Sequence, residues 1–556
     1  MKLKVGLLCD ESLDIRQSCG LFQDNDKYQI ECLLVQLGTS KKLTTSSLIA
    51  FIRRRGFVAF TRYLFFSLVQ TGEAVIAKLL SLKVGESPDR LEYERAVLRD
   101  CPKTYITAIK SPSGLVYRYS DADCDEVKQL NLDVIIRCGS GILRGEILQA
   151  ARYGIWSFHH GDNRWNRGGP PGFWEVYFRR PSTGVILQCL DDTLDGGRVL
   201  LRGNFPTQVT SYLNRENVID RSSFFLNNAL EYLYEHRVLP HDENVIVYTE
   251  SLYRYPSILT QCLYLIKTFG LLLAFLYRKA RRIEYTWHLY FYKQRWINID
   301  LSKPDHVLLG NNGFKADPFL IEIGGKHFCF YEFFPFDSRK GVINAAIVGD
   351  SLEEVGTVLE EDFHLSFPFC FAVDGDIYLL PEAHESNRLT LYRVHIDRSN
   401  KIQVVKHQTL LDGVSCVDPI LFRRGERWWL LVNKDSSGCG DFCSELHAYS
   451  SAELVSDRWE AHPKNPLIID SGVARNAGLL VEGDDFYRVY QKQGFNMYGK
   501  SFGAAKVVEL NFEEYKEATV FEVEKPVKGL GGMHTFNSDS GFVVSDGAQR
   551  VRIKRT

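Results

Sequence analysis

The second half of the chain repeats itself. Asp317-Pro318-Phe319-Leu320 is echoed by Phe367-Pro368-Phe369 and by Asp418-Pro419-Ile420-Leu421-Phe422. Ala474-Arg475-Asn476-Ala477-Gly478 and Gly532-Met533-His534-Thr535-Phe536 take the corresponding places further on. These five anchors are spaced by about 50–58 residues. Periods of this size belong to stacked or radial arrays, because a single repeat cannot bury its own apolar face. From Trp287 onward the residues between anchors agree with that. Short aromatic and β-branched runs, such as 327–334, 376–380, 427–432, 486–490 and 541–544, follow turn signals such as Gly324-Gly325, Asp374-Gly375 and Gly483-Asp484. The spacing predicts an all-β five-bladed propeller over 287–556, with each anchor at the start of an inner strand and facing the central channel.

The first half follows another rule. Apolar strands at 4–9, 30–35 and 132–137 alternate with helical stretches, which predicts a parallel sheet with crossover helices, an α/β Rossmann-like domain over 1–235. A helical insertion at about 45–90 interrupts it. That segment is apolar and basic, with Arg53, Arg54, Arg55 and Arg62 among Phe, Leu and Val. It reads as helices packed on the domain or lying on an anionic membrane surface. A linker at 236–286 carries a second apolar helix, 258–277, followed by Arg278, Lys279, Arg281 and Arg282. Its length is near the ~20 residues of a membrane span, but Gln261 and Lys267 lie inside it. The expectation is a helix that packs between domains or rests on a membrane surface.

Charge and cysteines narrow the partners. The formal net charge is −2, which gives no global electrostatic case for nucleic acid. The 13 cysteines are scattered, and the opening run to Asp10 reads as a buried strand, so a reducing cytoplasm is expected, with possible membrane association. Cys439 and Cys443 have a metal-like spacing but no second pair to complete four ligands, so no metal site is expected.

One stretch carries chemistry. Gly154-Ile155-Trp156-Ser157-Phe158-His159-His160-Gly161 runs on to Arg167-Gly168-Gly169-Pro170. It follows the strand and turn Asp133-Val134-Ile135-Ile136-Arg137-Cys138-Gly139-Ser140-Gly141-Ile142, and precedes Thr183-Gly184-Val185 and Leu194-Asp195-Gly196-Gly197. This series resembles the formyltransferases that use N10-formyltetrahydrofolate, over roughly residues 1–235. The resemblance implies that His159 polarises the formyl carbonyl and moves protons, and that Asp195 orients the site and helps take the amine's proton. It implies that Gly139, Gly141, Ile142, Leu194 and Gly196 cradle the folate; tight turns that need glycine are the other reading. Where the family has asparagine two residues before the histidine, this chain has Ser157. Three outcomes follow: Ser157 substitutes for it, a neighbour such as Asn163 or His160 supplies the donor, or the domain is weak or inactive.

The propeller segment resembles the N-terminal domain of plant glucosamine inositolphosphorylceramide transferases and, more distantly, five-bladed glycosidases. The residues that carry this include Lys315-Ala316-Asp317-Pro318, Tyr331-Glu332, Leu380-Pro381-Glu382, Val417-Asp418-Pro419 and Arg475-Asn476. Asp317, Glu332, Glu382, Asp418 and Arg475 form the expected carbohydrate site, since hydrolysis by inversion wants an acid and a carboxylate around one bond. Asp-Pro pairs that merely shape strand starts are the alternative. Together these expectations give formyl transfer to an amino sugar in surface polysaccharide or glycolipid synthesis, with the propeller binding the glycan. The rival is a propeller-centred glycoside hydrolase or glycan-binding protein whose formyltransferase domain is inactive.

Overall fold

A computed structural model describes residues 1–15, 21, 25–39, 52–53, 56–80, 97, 99–193, 196–240, 252–524 and 527–552. The chain divides into two compact units, Met1–Gly270 and Leu271–Thr556.

In the first unit the described strands are, in chain order, β1 Leu3–Asp10, β2 Tyr28–Leu37, β3 Lys103–Thr107, β4 Ile109–Lys110, β5 Val116–Arg118, β6 Val134–Arg137, β7 Ile142–Leu143, β8 Ile155–His159, β9 Ser182–Cys189 and β10 Arg198–Pro206. Seven of them form one sheet in the order β10-β9-β8-β6-β1-β2-β3. The five from β8 to β3 run parallel, and β9 and β10 add an antiparallel edge. A central parallel strand is buried on both faces, so it reads as a continuous apolar run. In β1, Val5, Leu7, Leu8 and Cys9 are fully buried.

Helix Asp121–Gln129 covers one face, with Cys124 and Val127 packed against Leu8, Leu34, Ile135 and Ile155. Ser120 caps it by accepting from the Asp123 amide, at 3.1 Å. Helix Phe224–His236 covers the other face, where Phe225 meets Phe158 and Phe205.

The chain steps outward from β1 to β2 and β3, then crosses back to place β6 and β8 on the other side of β1. The order reverses between β1 and β6. In open sheets of this kind, ligands bind outside the carboxyl ends of the strands at the reversal.

Of the expected helical insertion, helix Phe57–Leu79 is described. Arg54 and Arg55 lie outside the described residues. The linker helix runs Ile258–Arg281, with Gln261 and Tyr264 its buried residues.

The second unit holds five antiparallel sheets. Their inner strands are Gly313–Ile323, Ser366–Val373, Val417–Arg424, Asn476–Glu482 and Phe536–Asp539. Each inner strand neighbours the next, and the last returns to the first, so the five close a ring. The sheet at the seam is a composite. Its inner strands, Phe536–Asp539 and Phe542–Arg552, come from the end of the chain, and its outer strands, Ile283–Tyr292 and His306–Leu308, come from the start of the unit. The aromatic periodicity fills the spaces between sheets. Phe319, Phe367, Phe369, Leu380 and Leu421 belong to one continuous core.

Candidate functional site

In the first unit the reversal crevice is built by backbone. After β6, the amides of Cys138 and Gly139 both donate to Leu8 O, at 2.8 and 3.0 Å. The Ser140 amide donates to Asp10 Oδ1 at 3.0 Å. At Gly139 a Cβ would fall 2.2 Å from Gln36 Nε2 and 3.3 Å from the Asp10 amide, so Gln36 would have to move; Gly141 is required, since it sits at φ +88° and a Cβ would strike the Tyr117 ring at 2.5 Å. Packing gives two of the three predicted folate-cradle glycines a local reason. Ile142 belongs to a small sheet with Val116 opposite. Gly196 lies over Thr193, whose Oγ1 is 2.6 Å from where a Cβ would be. Leu194 and Asp195 lie outside the described residues, and the meeting of His159 with Asp195 is left there.

Ser157 and His159 alternate with Phe158 on β8 and share one face of the sheet. Arg137 sits directly opposite Ser157 on the parallel neighbour β6. Its Nη1 donates to Ser157 Oγ at 3.3 Å, and its Nη2 donates to Gly141 O. His159 Nε2 lies 2.9 Å from Asn166 O. A carbonyl can only accept, so the proton is assigned to Nε2.

Beneath it, Asn166 Nδ2 donates to Glu175 Oε1 at 2.8 Å. Burial lifts the Glu175 carboxyl to about 7, against the pull of that bond. His160 instead stacks on Phe158, 5.8 Å away, and Asn163 Oδ1 accepts from Arg202 at 3.0 Å. The donor beside Ser157 is thus a guanidinium rather than either neighbour expected from sequence. Gly184 of the Thr-Gly-Val motif is also explained, since a Cβ would lie 2.8 Å from Asp162 N. Asp162 is clamped by Arg164 and by Arg202, the latter at 2.7 Å, and these guanidinium groups hold its carboxyl low although burial opposes them.

In the second unit the three proline-bearing anchors are bulges. Register slips occur between Ala316 and Phe319, Ser366 and Phe369, and Val417 and Ile420. In each slip the residue before proline is left-handed: Asp317 at φ +50°, Phe367 at +42° and Asp418 at +48°. Such backbone is strained for non-glycine residues and re-aims a side chain at the rim of a sheet. The second strands add a matching level. Glu332 faces Ala316, Glu382 faces Ser366 and Asn433 faces Val417.

The predicted residues do assemble. Arg475 Nε donates to Asp418 Oδ2 at 2.5 Å, and the Asp418 amide donates to Glu382 Oε2 at 3.4 Å. Glu382 Oε1 lies 3.2 Å from His384 Nδ1, and Glu332 Oε1 lies 3.4 Å from His364 Nε2. Asp317 Oδ1 accepts from Thr535 Oγ1 at 2.7 Å.

The two glutamates are driven apart. Burial, with the charges of Asp317 and Glu382 around it, raises Glu332 well above the usual range. Burial opposes ionisation of Glu382 too, but the bond to His384 and the charge of Arg475 win and lower it.

Sequence reasoning missed several members. His384, lifted by its bond to Glu382, lay between anchors. Asp546 sits on the final strand, where its Oδ2 lies 2.6 Å from His534 Nδ1. Tyr498, 46% exposed, carries the Arg475 guanidinium 5.0 Å from its ring centroid and meets His534 edge-on. No motif marked Tyr498, because it sits at the start of the third strand of its sheet, away from the anchors.

Asp317, His534 and Asp546 bring one ligand atom each within 4.8 Å of one another, a set able to hold a metal ion that the sequence did not reveal. Burial opposes protonation of His534, but the charges of Asp546 and Asp317 outweigh it and raise its proton affinity.

A cavity of about 750 Å³ opens elsewhere, at the far ends of the inner strands, lined by Phe319, Phe369, Phe371, Phe422, Trp428 and Phe486. It is apart from the acidic cluster, none of whose residues line it.

Residues 307–539 match the family described as glucosamine inositolphosphorylceramide transferase 1, N-terminal. The chain is similar to glucosamine inositolphosphorylceramide transferase 1 of Arabidopsis thaliana, 37% identical over 230 residues, which are 39% of this chain and 29% of that protein. It is also similar to the protein of that name from Oryza sativa subsp. japonica, 30% identical over 246 residues, 42% of this chain and 32% of that protein. The matched region thus spans less than a third of the length of these curated relatives. A stretch of 78 residues is 36% identical to methionyl-tRNA formyltransferase from Prochlorococcus marinus, covering 14% of this chain and 23% of that protein. Among solved structures, glycinamide ribonucleotide transformylase 1 from Symbiobacterium toebii is similar at 12% identity and TM-score 0.28, covering 45% of this chain and 95% of that one. A thermostable family-43 glycoside hydrolase is similar at 12% identity and TM-score 0.30, covering 38% and 76%.

Proposed function

We propose that the first unit transfers a formyl group from N10-formyltetrahydrofolate to the amine of an amino sugar, and that the propeller binds carbohydrate. One observation carries the reading: Arg137, Ser157 and His159 share the carboxyl ends of adjacent parallel strands, next to the reversal, with Arg137 donating to Ser157. Amine attack puts negative charge on the formyl oxygen and leaves a surplus proton on nitrogen. Arg137, held beside Ser157, is a charged donor for that oxygen, stronger than the carboxamide it stands in for. His159 is the group for proton movement, with Asp195 as its proposed partner. The short stretch similar to methionyl-tRNA formyltransferase supports the same chemistry. The test is turnover with formyltetrahydrofolate and a panel of nucleotide-linked amino sugars. His159→Ala is expected to lose about 10²–10⁴-fold in kcat. Folded protein that formylates nothing in the panel, or a His159→Ala variant as fast as wild type, defeats the proposal.

A second reading rests on the opposed shifts of Glu332 and Glu382. Two carboxyls whose environments separate their proton affinities suit acid and base roles. In this reading Glu332 protonates a glycosidic oxygen, Glu382 activates water, and Tyr498 stacks on the sugar. Release of aryl alcohol from aryl glycosides, lost in Glu332→Gln and in Glu382→Gln, supports it. Sugar binding without any release leaves the propeller as a binding module.

A further inference from the structure

Helix Phe57–Leu79 has two apolar faces. One packs inward through Phe66, which meets Phe173 at 5.6 Å, and Ala77. The other runs through Phe57, Leu64, Leu68, Val75 and Leu79, a spacing of seven and four residues that draws one stripe along the helix. All five are exposed, Leu68 at 62% and Leu79 at 77%. The helix's acid is turned away from that stripe: Glu73 accepts from the Tyr212 amide at 2.8 Å and from Tyr264 Oη.

Helix Ile258–Arg281 repeats the pattern. Gln261 and Tyr264 tie it to the domain, Gln261 Nε2 donating to Arg62 O at 3.1 Å and Tyr264 Oη accepting from the Ser211 amide at 2.8 Å. The rest of its circumference carries exposed Leu259, Leu263, Ile266, Phe269, Leu273 and Leu276. Its most apolar window has a mean hydropathy of 1.7 and is 11% buried. The helix contains no acidic residue; Arg278, Lys279 and Arg281 occupy its last turn, and Arg282 follows.

We infer that these two outward faces dock the protein on the surface of an anionic lipid bilayer. Charge decides the partner. Two apolar faces, one ending in four cations and the other with its carboxylate turned inside, match acyl chains beneath negatively charged headgroups. Attachment decides the geometry. A helix held along one stripe by Gln261 and Tyr264 cannot offer its whole circumference to lipid, so it lies along the interface and does not cross it. Docking places an enzyme of glycolipid or lipid-linked glycan chemistry beside its substrate, and it stands whether or not the formyl-transfer reading does.

The experiment is co-sedimentation of the full chain with vesicles of phosphatidylcholine alone and of phosphatidylcholine mixed with phosphatidylglycerol. Binding to the mixed vesicles, weakened by salt, is expected. Replacing Arg278, Lys279, Arg281 and Arg282 together by alanine should weaken it about tenfold or more, and the pair Leu68→Glu and Ile266→Glu should abolish it. The alanine variant alters only the helix end and its flank, so it serves if the glutamate pair fails to fold. Ile266→Trp should be quenched by lipids brominated near the headgroup and not by lipids brominated at the chain end. Deep quenching overturns the interfacial geometry. Equal binding to both vesicles, no binding to either, or a soluble dimer dispersed by the glutamate pair overturns the proposal.

Discussion

Arg475→Met isolates the electrostatic logic of the propeller. The Arg475 side chain is 13% exposed and Asp418 2%, with 2.5 Å between Nε and Oδ2. Methionine matches the stem but leaves Asp418 buried and uncompensated, beside Glu382 and under the same ring of acids. Breaking a buried pair from one side costs about 3–5 kcal/mol. For a unit as large as Leu271–Thr556, each kcal/mol moves the transition by about 2 °C, so a drop of roughly 6–10 °C is expected. Calorimetry on the full chain reads it. Adding Asp418→Asn to the same chain removes the stranded charge and should recover more than half the loss. A single variant that melts within about 2 °C of wild type, or a double variant no better than the single, refutes the reasoning.

Other outcomes follow from the same contacts. Glu332, raised on folding, contributes stability that is fully present below its unfolded value and lost as pH rises through its folded one. Glu332→Gln should therefore gain on wild type in melting temperature between about pH 5 and pH 8, and a constant difference would refute the assignment. Glu382 has the opposite sign: its stability is present above the unfolded value and lost on acidification, so Glu382→Gln should flatten the acid limb of the melting profile. Gly184→Ala drives a Cβ against Asp162 backbone at 2.8 Å and should cost about 1–3 kcal/mol in denaturant titration. Arg137→Met should lower kcat of formyl transfer by about 10²-fold, with a smaller change in KM.

The repeat in the second half was legible because three anchors do the same work. Bulge, left-handed residue and proline recur at 316–319, 366–369 and 417–420, and the spacing carries on to the last two anchors. Glu332 and Glu382 were legible as carboxylates near anchors, and the ladder shows that they hold one register position in successive sheets. Asp546 was not, because it pairs with Leu289 across most of the second unit, and Tyr498 was not, because the hairpin that places it carries no anchor. In the first unit the glycines were legible as necessary, but their reason was not. Gly139 and Gly141 yield to Gln36 and Tyr117, residues about a hundred and about twenty positions away in sequence. The role of Arg137 stayed hidden because it depends on two parallel strands being neighbours.

The seam sheet also sets a timetable. Strand Ile283–Tyr292 pairs on one edge with nearby His306–Leu308 and on the other with Phe542–Arg552, so that second edge stays unmatched until the ribosome has delivered roughly 250 more residues, some 10–50 s at ordinary elongation rates. That edge holds Tyr285, Trp287, Tyr290 and Phe291, the kind of ribbon that pairs with strangers. Synthesis is thus a race between Phe542–Arg552 and every other sheet edge nearby, and deleting that strand forfeits it.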